Sequence, residues 1–290
     1  MLSIIIINYN MKDMLEDSLS SIFKNNVDFR VIVFDNNSSD NSVKMLKNKF
    51  PYVKLIESKK NIGMAKAINR ILRLIKTELV LIMHPDTIVK ENTLSEMVKF
   101  MEKADIAGCR LVYPNGKLFL SCHRFPLIKR IIYEKIPFFR KFLPGLYMRD
   151  FNYSEIRKVD IIASAFFMFR KELIDKIGYF DEDFTNWVSE WDFCYRAKNY
   201  RKMFNPDVEA VHYEGQSKIT KGMEYKRYAY AKADIQLKAL FFFYKKHYPG
   251  ELSKLRMFSK LLLRLKILKH FFNKERKEAY KKTINAIDSY

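Results

Sequence analysis

The feature that most narrows what this chain can fold into is an alternation in its first hundred residues. Short β-branched runs at 2–7, 30–34, 53–56 and 79–83 alternate with patterns of helical period at 14–23, 42–49, 65–75 and 94–101. The runs are mostly continuous apolar stretches, which marks strands buried on both faces. Such strands separated by helices form βαβ units, and hence a parallel sheet covered by helices. Ligands bind such sheets beyond the carboxyl ends of the strands. Here those ends are polar. The runs lead into Asn8-Tyr9-Asn10, Asp35-Asn36-Asn37-Ser38-Ser39-Asp40, Asn61-Ile62-Gly63 and His84-Pro85-Asp86-Thr87. One such tip is ordinary turn and capping chemistry. Four on one sheet edge predict a site.

The pattern changes after residue 105. Residues 106–112 and 117–120 read as strands joined by a Pro114-Asn115-Gly116 turn. Residues 121–158 carry nine Lys and Arg against three acids and read as a basic, aromatic flap. Residues 159–169 read as one buried strand, and 171–176 as a short helix. A further helix is expected near Ser189, with Ser189 as its N-cap and Glu190 in its first turn. A short strand follows at 208–212. The last quarter reads as helices at 224–244 and 252–272. In the second, Leu255, Phe258, Leu261, Leu262, Leu265, Leu268 and Phe272 recur at helical spacing beside Lys254, Arg256, Lys260, Arg264, Lys266 and Lys269. Such a helix can lie in an anionic membrane interface or pack on a core.

Composition narrows the partners. The 290 residues hold 53 Lys and Arg against 33 Asp and Glu, a net charge of +20. That surplus asks for an anionic partner: nucleic acid, nucleotide or anionic lipid. Much of it lies in the flap and in residues 250–290, which hold eleven basic and four acidic residues. No nucleic-acid-binding module is visible, so the charge is read as holding the chain at anionic lipid and a diphosphate-linked ligand, with no nucleic acid partner. Cys109, Cys122 and Cys194 have no CxxC spacing, which argues against a disulfide framework or structural zinc. The apolar run at 4–7 is too short for a membrane span and lacks the basic lead of a signal peptide. The expectation is a cytoplasmic protein, peripheral on the inner face of the cell membrane.

Three groups carry chemistry. Asp86, two residues after His84 at a strand tip, can hold a divalent cation against a diphosphate. His212, at a strand end just before Gly215, is placed as a late metal ligand would be. Glu190 and Asp192, flanking Trp191 at a helix start, suit a base that removes a hydroxyl proton.

Taken together, these pieces resemble glycosyltransferase family 2, with the GT-A fold, and more specifically the rhamnosyltransferase-like members of bacterial polysaccharide assembly. The matching segments are IIIINYN at 4–10, VIVFDNNSSDNS at 31–42, NIGMAKAIN at 61–69, LIMHPDT at 81–87, VDIIASAFFMFRKELIDKIGYFDEDF at 159–184, SEWDFCYRAK at 189–198 and VHYEGQS at 211–217. The resemblance implies an α/β GT-A type nucleotide-diphospho-sugar transferase fold: a mostly parallel central sheet flanked by helices, with a helical C-terminal appendage. It implies a transferase domain over 1–220, with a nucleotide-sugar half at 1–104 and an acceptor half at 105–220, followed by a basic helical region at 221–290. Tyr9 and Asp35 would line the pocket for the donor's base and ribose, with Asn61, Gly63 and Asn69 near the nucleotide. Asp86 matches the last carboxylate of the metal motif, His84 stands where Asn or Asp is common, and His212 matches a late histidine by the metal or diphosphate. Glu190 matches the catalytic base, with Asp192 next in line. Ser164 stands where glycine is usual. The implied activity is inverting transfer of a single sugar, rhamnose among those implied, from a dTDP- or UDP-linked donor to a lipid-linked or polysaccharide acceptor in cell-surface glycan synthesis, with Mg2+ or Mn2+. The alternatives are an inactive family member, or a protein that binds anionic membrane or nucleic acid.

Overall fold

The computed structural model describes residues 1–136, 138–139, 143–184, 188–214, 225–269 and 273–290. The first half is built as the apolar runs dictate. It runs β1 (Leu2–Asn8), α1 (Lys12–Ile22), β2 (Phe29–Asp35), α2 (Ser42–Lys49), β3 (Lys54–Glu57), α3 (Met64–Leu72) and β4 (Leu79–Met83). These strands pair in parallel in the order β3-β2-β1-β4. Ile4, Ile5 and Ile6 are consecutive and all fully buried, so β1 is covered on both faces. The register sets Asn8 beside Asp35 and Ile6 beside Met83, which brings three strand tips to one edge.

The second half completes a mixed sheet. It contains β5 (Thr87–Val89), α4 (Thr93–Phe100), β6 (Ile106–Val112), β7 (Leu118–Phe119), β8 (Cys122–His123), α5 (Ile128–Lys135), β9 (Arg157–Lys158), β10 (Ile161–Ile162), β11 (Phe166–Arg170), α6 (Leu173–Ile177), α7 (Ser189–Arg196) and β12 (Lys202–His212). The sheet continues past β4 as β11-β6-β12-β5. Strand β11 is antiparallel to β4 and β6, whereas β12 is parallel to β6 and antiparallel to β5. This is the mostly parallel, helix-flanked sheet expected.

The structure corrects several local expectations. The single strand expected over 159–169 is two strands, β10 and β11, because the chain changes partners. Strand β10 pairs with β8 in a separate small sheet, the amide of Ala163 donates to the Ser121 carbonyl, and β11 rejoins the main sheet at Phe166. Ser189 is not the N-cap of its helix. Val188 holds that position in a left-handed conformation (φ 60°), with no side-chain cap. The flap is docked rather than loose: Leu146, Met148, Phe151 and Tyr153 are buried, and the Tyr153 hydroxyl bonds both backbone groups of Cys122. Its arginines are held by carboxylates, Arg124 by Asp150, Arg149 by Glu134 and Arg130 by Asp160. Pro137, Arg140 and Lys141 of the flap lie outside the described residues. The three cysteines are free and buried.

Internal contacts divide the chain into Met1–Ser217 and Lys218–Tyr290. The second unit comprises α8 (Tyr225–His247), α9 (Leu252–Lys269) and α10 (Lys274–Ala286), with α9 packed on both of the others. Helix α10 was not anticipated from sequence. Its segment, KERKEAYKKTINA, is too polar to show a stripe, and Asn273 starts it by accepting a hydrogen bond from the amide of Arg276. The apolar residues of α9 divide between interior and surface. Leu255 is fully buried, while Met257, Leu261, Leu265 and Leu268 are 71%, 53%, 53% and 69% exposed. Phe272 lies outside the described residues.

Candidate functional site

The turn between β4 and β5 supplies His84 and Asp86, and the end of β12 supplies His212. They are far apart in sequence and meet because β12 pairs antiparallel with β5, setting His212 opposite Thr87. Backbone bonds tighten the junction: Tyr213 donates to the Asp86 carbonyl at 2.9 Å, and Thr87 to the His84 carbonyl at 3.1 Å. His212 Nε2 stands 3.3 Å from Asp86 Oδ1, and His84 Nδ1 stands 4.0 Å from the same oxygen. One ligand atom from each residue lies within 4.8 Å of the others, a spacing that one cation can span. Burial works to raise the Asp86 carboxyl, but the His212 hydrogen bond and both imidazoles outweigh it and hold the group below the usual carboxylate range. Burial pushes the His84 imidazole down to about 4, against the pull of Asp86, so the ring is neutral and has a lone pair to offer at neutral pH. His212 Nδ1 is a buried atom with no hydrogen-bond partner among the described residues. The neutral His84 imidazole, the Asp86 carboxylate and the His212 ring with its unpartnered nitrogen fit a divalent cation.

The neighbouring tips of β1 and β2 form a separate polar lattice. Asn8 Nδ2 donates to Asp35 Oδ2 at 2.9 Å and to Ser38 Oγ at 3.1 Å, and the Ser38 amide donates to Asp35 Oδ1 at 2.8 Å. Asp35 is thus buried with both oxygens engaged, while Tyr9 beside it is 44% exposed. Asn36 joins this lattice to the third tip: it donates to Asn61 Oδ1 at 3.0 Å and accepts from the Ile62 amide at 2.9 Å. Gly63 then opens α3 with φ 82°, a conformation that favours glycine, and its amide donates to Asn61. Four expected donor residues, Tyr9, Asp35, Asn61 and Gly63, therefore sit on one edge. Asn69 does not share that lattice. It lies inside α3, 1% exposed, and clamps the far segment by exchanging hydrogen bonds with Phe180 and donating to Glu182.

The two acids of α7 have different surroundings. Asp192 is fully buried and accepts from Arg196 Nε at 2.8 Å, and Arg196 also donates to the carbonyls of Ile177, Gly178 and Tyr179. These bonds tie α7 to the turn at 177–179. Glu190 has a carboxyl pushed up to about 7 by burial, opposed only by its own backbone. Trp191 beside it meets the His123 ring at 5.6 Å, and His123 meets Tyr147 of the flap at 5.2 Å. Glu214 accepts a hydrogen bond from the Tyr113 hydroxyl at 3.1 Å, and its charge acts on both His84 and Tyr147. Sequence reasoning read Asn36 and Ser38 only as part of a polar strand tip and gave no individual role to His123, Tyr147 or Glu214. Each depends on a partner remote in sequence, and only Ser164 carried a signal, as a residue standing where glycine is usual. Gly215, Gln216 and Ser217 lie outside the described residues.

A model described as Glycosyl transferase family 2 matches residues 3–178. A protein of Bacillus subtilis (strain 168), named uncharacterized glycosyltransferase YwdF, is 26% identical over 216 residues, 73% of each chain. Two solved structures share the fold. The mannosyltransferase PcManGT from Pyrobaculum calidifontis, in complex with GDP-Man and Mn2+, has a TM-score of 0.58 at 17% identity, covering 99% of this chain and 75% of that one. S. aureus TarS 1–349 has a TM-score of 0.52 at 16% identity, covering 99% and 91%.

Proposed function

The chain belongs to glycosyl transferase family 2, and from that premise we propose that it is an inverting transferase moving one sugar from a nucleotide-diphosphate donor to a hydroxyl acceptor. The observation that carries this reading is the convergence of His84, Asp86 and His212 at the edge where the strand tips Asn8 and Asp35 also end. Similarity to a mannosyltransferase that is in complex with GDP-Man and Mn2+ supports a nucleotide sugar and a divalent cation. His84, Asp86 and His212 would hold the cation, which supplies charge neutralisation to the departing diphosphate. Tyr9, Asp35, Asn61 and Gly63 would form the base and ribose side. Glu190 would take the acceptor hydroxyl's proton as that oxygen bonds the anomeric carbon and the bond to the diphosphate oxygen breaks. No protein nucleophile is needed. Asp192 would serve by holding Arg196, which gathers the carbonyls of the turn after α6.

The finer reading is a dTDP- or UDP-linked donor, with rhamnose as a candidate sugar, and a lipid-linked glycan acceptor at an anionic membrane face. What supports the membrane partner is α9. No helix among the described residues is long and apolar enough to cross a membrane. Yet Met257, Leu261, Leu265 and Leu268 form an exposed apolar stripe on a helix with six basic and no acidic residues. Residues 218–290 hold nineteen Lys and Arg against six acids. A second copy would bring like charge to that stripe, whereas anionic lipid complements it.

The test is a panel of nucleotide sugars scored by thermal shift and by donor hydrolysis, with and without Mn2+. One donor should stabilise the chain in a cation-dependent way, and Asp86→Asn should abolish that dependence. A panel in which no sugar nucleotide stabilises or is hydrolysed would overturn the proposal.

A further inference from the structure

Ser164 occupies the place where β10 gives way to β11, and its hydroxyl lies 3.1 Å from His84 Nε2. The backbone around it is tied on both sides. The Ala163 amide donates to the Ser121 carbonyl, and the Ala165 carbonyl accepts from the His84 amide at 3.2 Å and from Thr87 Oγ1 at 3.1 Å. The hydroxyl therefore has little freedom relative to the ring it touches. With Nε2 engaged, the other ring nitrogen, Nδ1, is the one facing Asp86. His212 presents Nε2 to the same carboxylate. The donor set is thus two imidazole nitrogens and one carboxylate oxygen.

We propose that Ser164 is a positioning residue that holds His84 with Nδ1 toward Asp86 and His212, and that the resulting nitrogen-rich site selects Mn2+, or a similar borderline divalent ion, over Mg2+. The proposal rests on the cation reading above and deepens it. Mg2+ is a hard ion that demands near-octahedral oxygen ligation and keeps its water, while imidazole suits the later divalent metals. A partner on the second ring nitrogen sets which nitrogen is free to bind a metal and how the ring is turned, and losing such a partner costs roughly 10–100-fold in metal affinity. Ser164 meets both needs, because a hydroxyl accepts from an Nε2–H and leaves Nδ1 with its lone pair.

The experiment titrates the full chain with Mn2+ alone and follows the unbound ion by its electron paramagnetic resonance signal, with Mg2+ as competitor. The wild type should hold Mn2+ against a roughly tenfold excess of Mg2+, and its spin-echo spectrum should carry nitrogen couplings from imidazole. Ser164→Ala should weaken Mn2+ binding about tenfold or more with its melting temperature unchanged, and Ser164→Thr, which keeps the hydroxyl, should restore it. His84→Asp should shift preference toward Mg2+. Mn2+ binding that is lost in Asp86→Asn but unchanged in Ser164→Ala overturns this inference alone. So does Mg2+ displacing Mn2+ at equal concentration. A wild type that binds no Mn2+ overturns it together with the cation reading.

Discussion

At the scale of single residues, two carboxylates two positions apart on α7 have been given opposite tasks by their surroundings. Asp192 is paired with a guanidinium, whereas no cation is paired with Glu190 among the described residues and burial raises its carboxyl to about 7. A base with that pKa gains its active form as pH rises through 7. The proposed activity should therefore show an acid limb centred near pH 7, falling about tenfold per pH unit below it. Glu190→Gln should lower kcat by roughly 10²–10⁴ and leave donor-induced thermal stabilisation intact; a variant of wild-type rate removes Glu190 from the role. The same shift has a stability consequence. The folded state holds a proton that the unfolded state releases, so stability falls as pH rises from about 4.5 to about 7. Glu190→Gln should erase that slope, which melting curves at pH 5 and pH 8 would read directly. Glu190 was legible from sequence as an acid at a helix start. Its separation from Asp192 was not, because burial and ion pairing depend on the residues packed around each side chain.

At the scale of elements, polar side chains in the core act as ties between segments. Arg196, anchored by Asp192, gathers three carbonyls of the turn after α6, and Lys202 at the start of β12 donates to the Ala197 and Tyr200 carbonyls at the end of α7. The C-terminal end of α7 is thereby tied to chain on either side of it. Asp192→Ala strands a largely buried guanidinium and should cost about 3–5 kcal/mol, measured by urea unfolding. Asn69 does similar work between α3 and Phe180. Asn69→Ala leaves both backbone groups of Phe180 unpaired and should cost about 1–3 kcal/mol, with no change in Mn2+ binding. The resemblance implies a place near the nucleotide for Asn69; that its side chain also holds the Phe180 backbone and Glu182 is something sequence position could not convey. The parallel strands of the first half were legible because their two-face burial leaves a continuous apolar run. The division of 159–169 was not, since both of its strands are apolar and only the competing partner β8 separates them.

At the scale of the molecule, the surplus charge is distributed unevenly. Residues 218–290 hold most of it, and α9 adds an exposed apolar stripe on the side away from buried Leu255. The proposed membrane partner gives a further expectation. Leu261→Asp with Leu265→Asp should abolish co-sedimentation with anionic vesicles without changing the melting temperature, since both side chains are already exposed. Wild-type binding should weaken as salt rises. Unchanged sedimentation of the double variant would eliminate α9 as the contact.

What the sequence determined by itself was the class of fold and the chemistry available: apolar runs that must become buried parallel strands, polar tips that must collect at their ends, and the identities of His84, Asp86, Glu190 and His212. Those follow from local period and residue type. What only the tertiary structure decided was which of these residues meet and which are withdrawn. The pairing of β5 with β12 brings His212 to Asp86, the partner change after β10 delivers Ser164 to His84, and packing buries Asp192 and Asn69 in structural bonds. The reason is physical: these outcomes are set by contacts between segments far apart in sequence, and local patterning carries no information about which distant partner prevails.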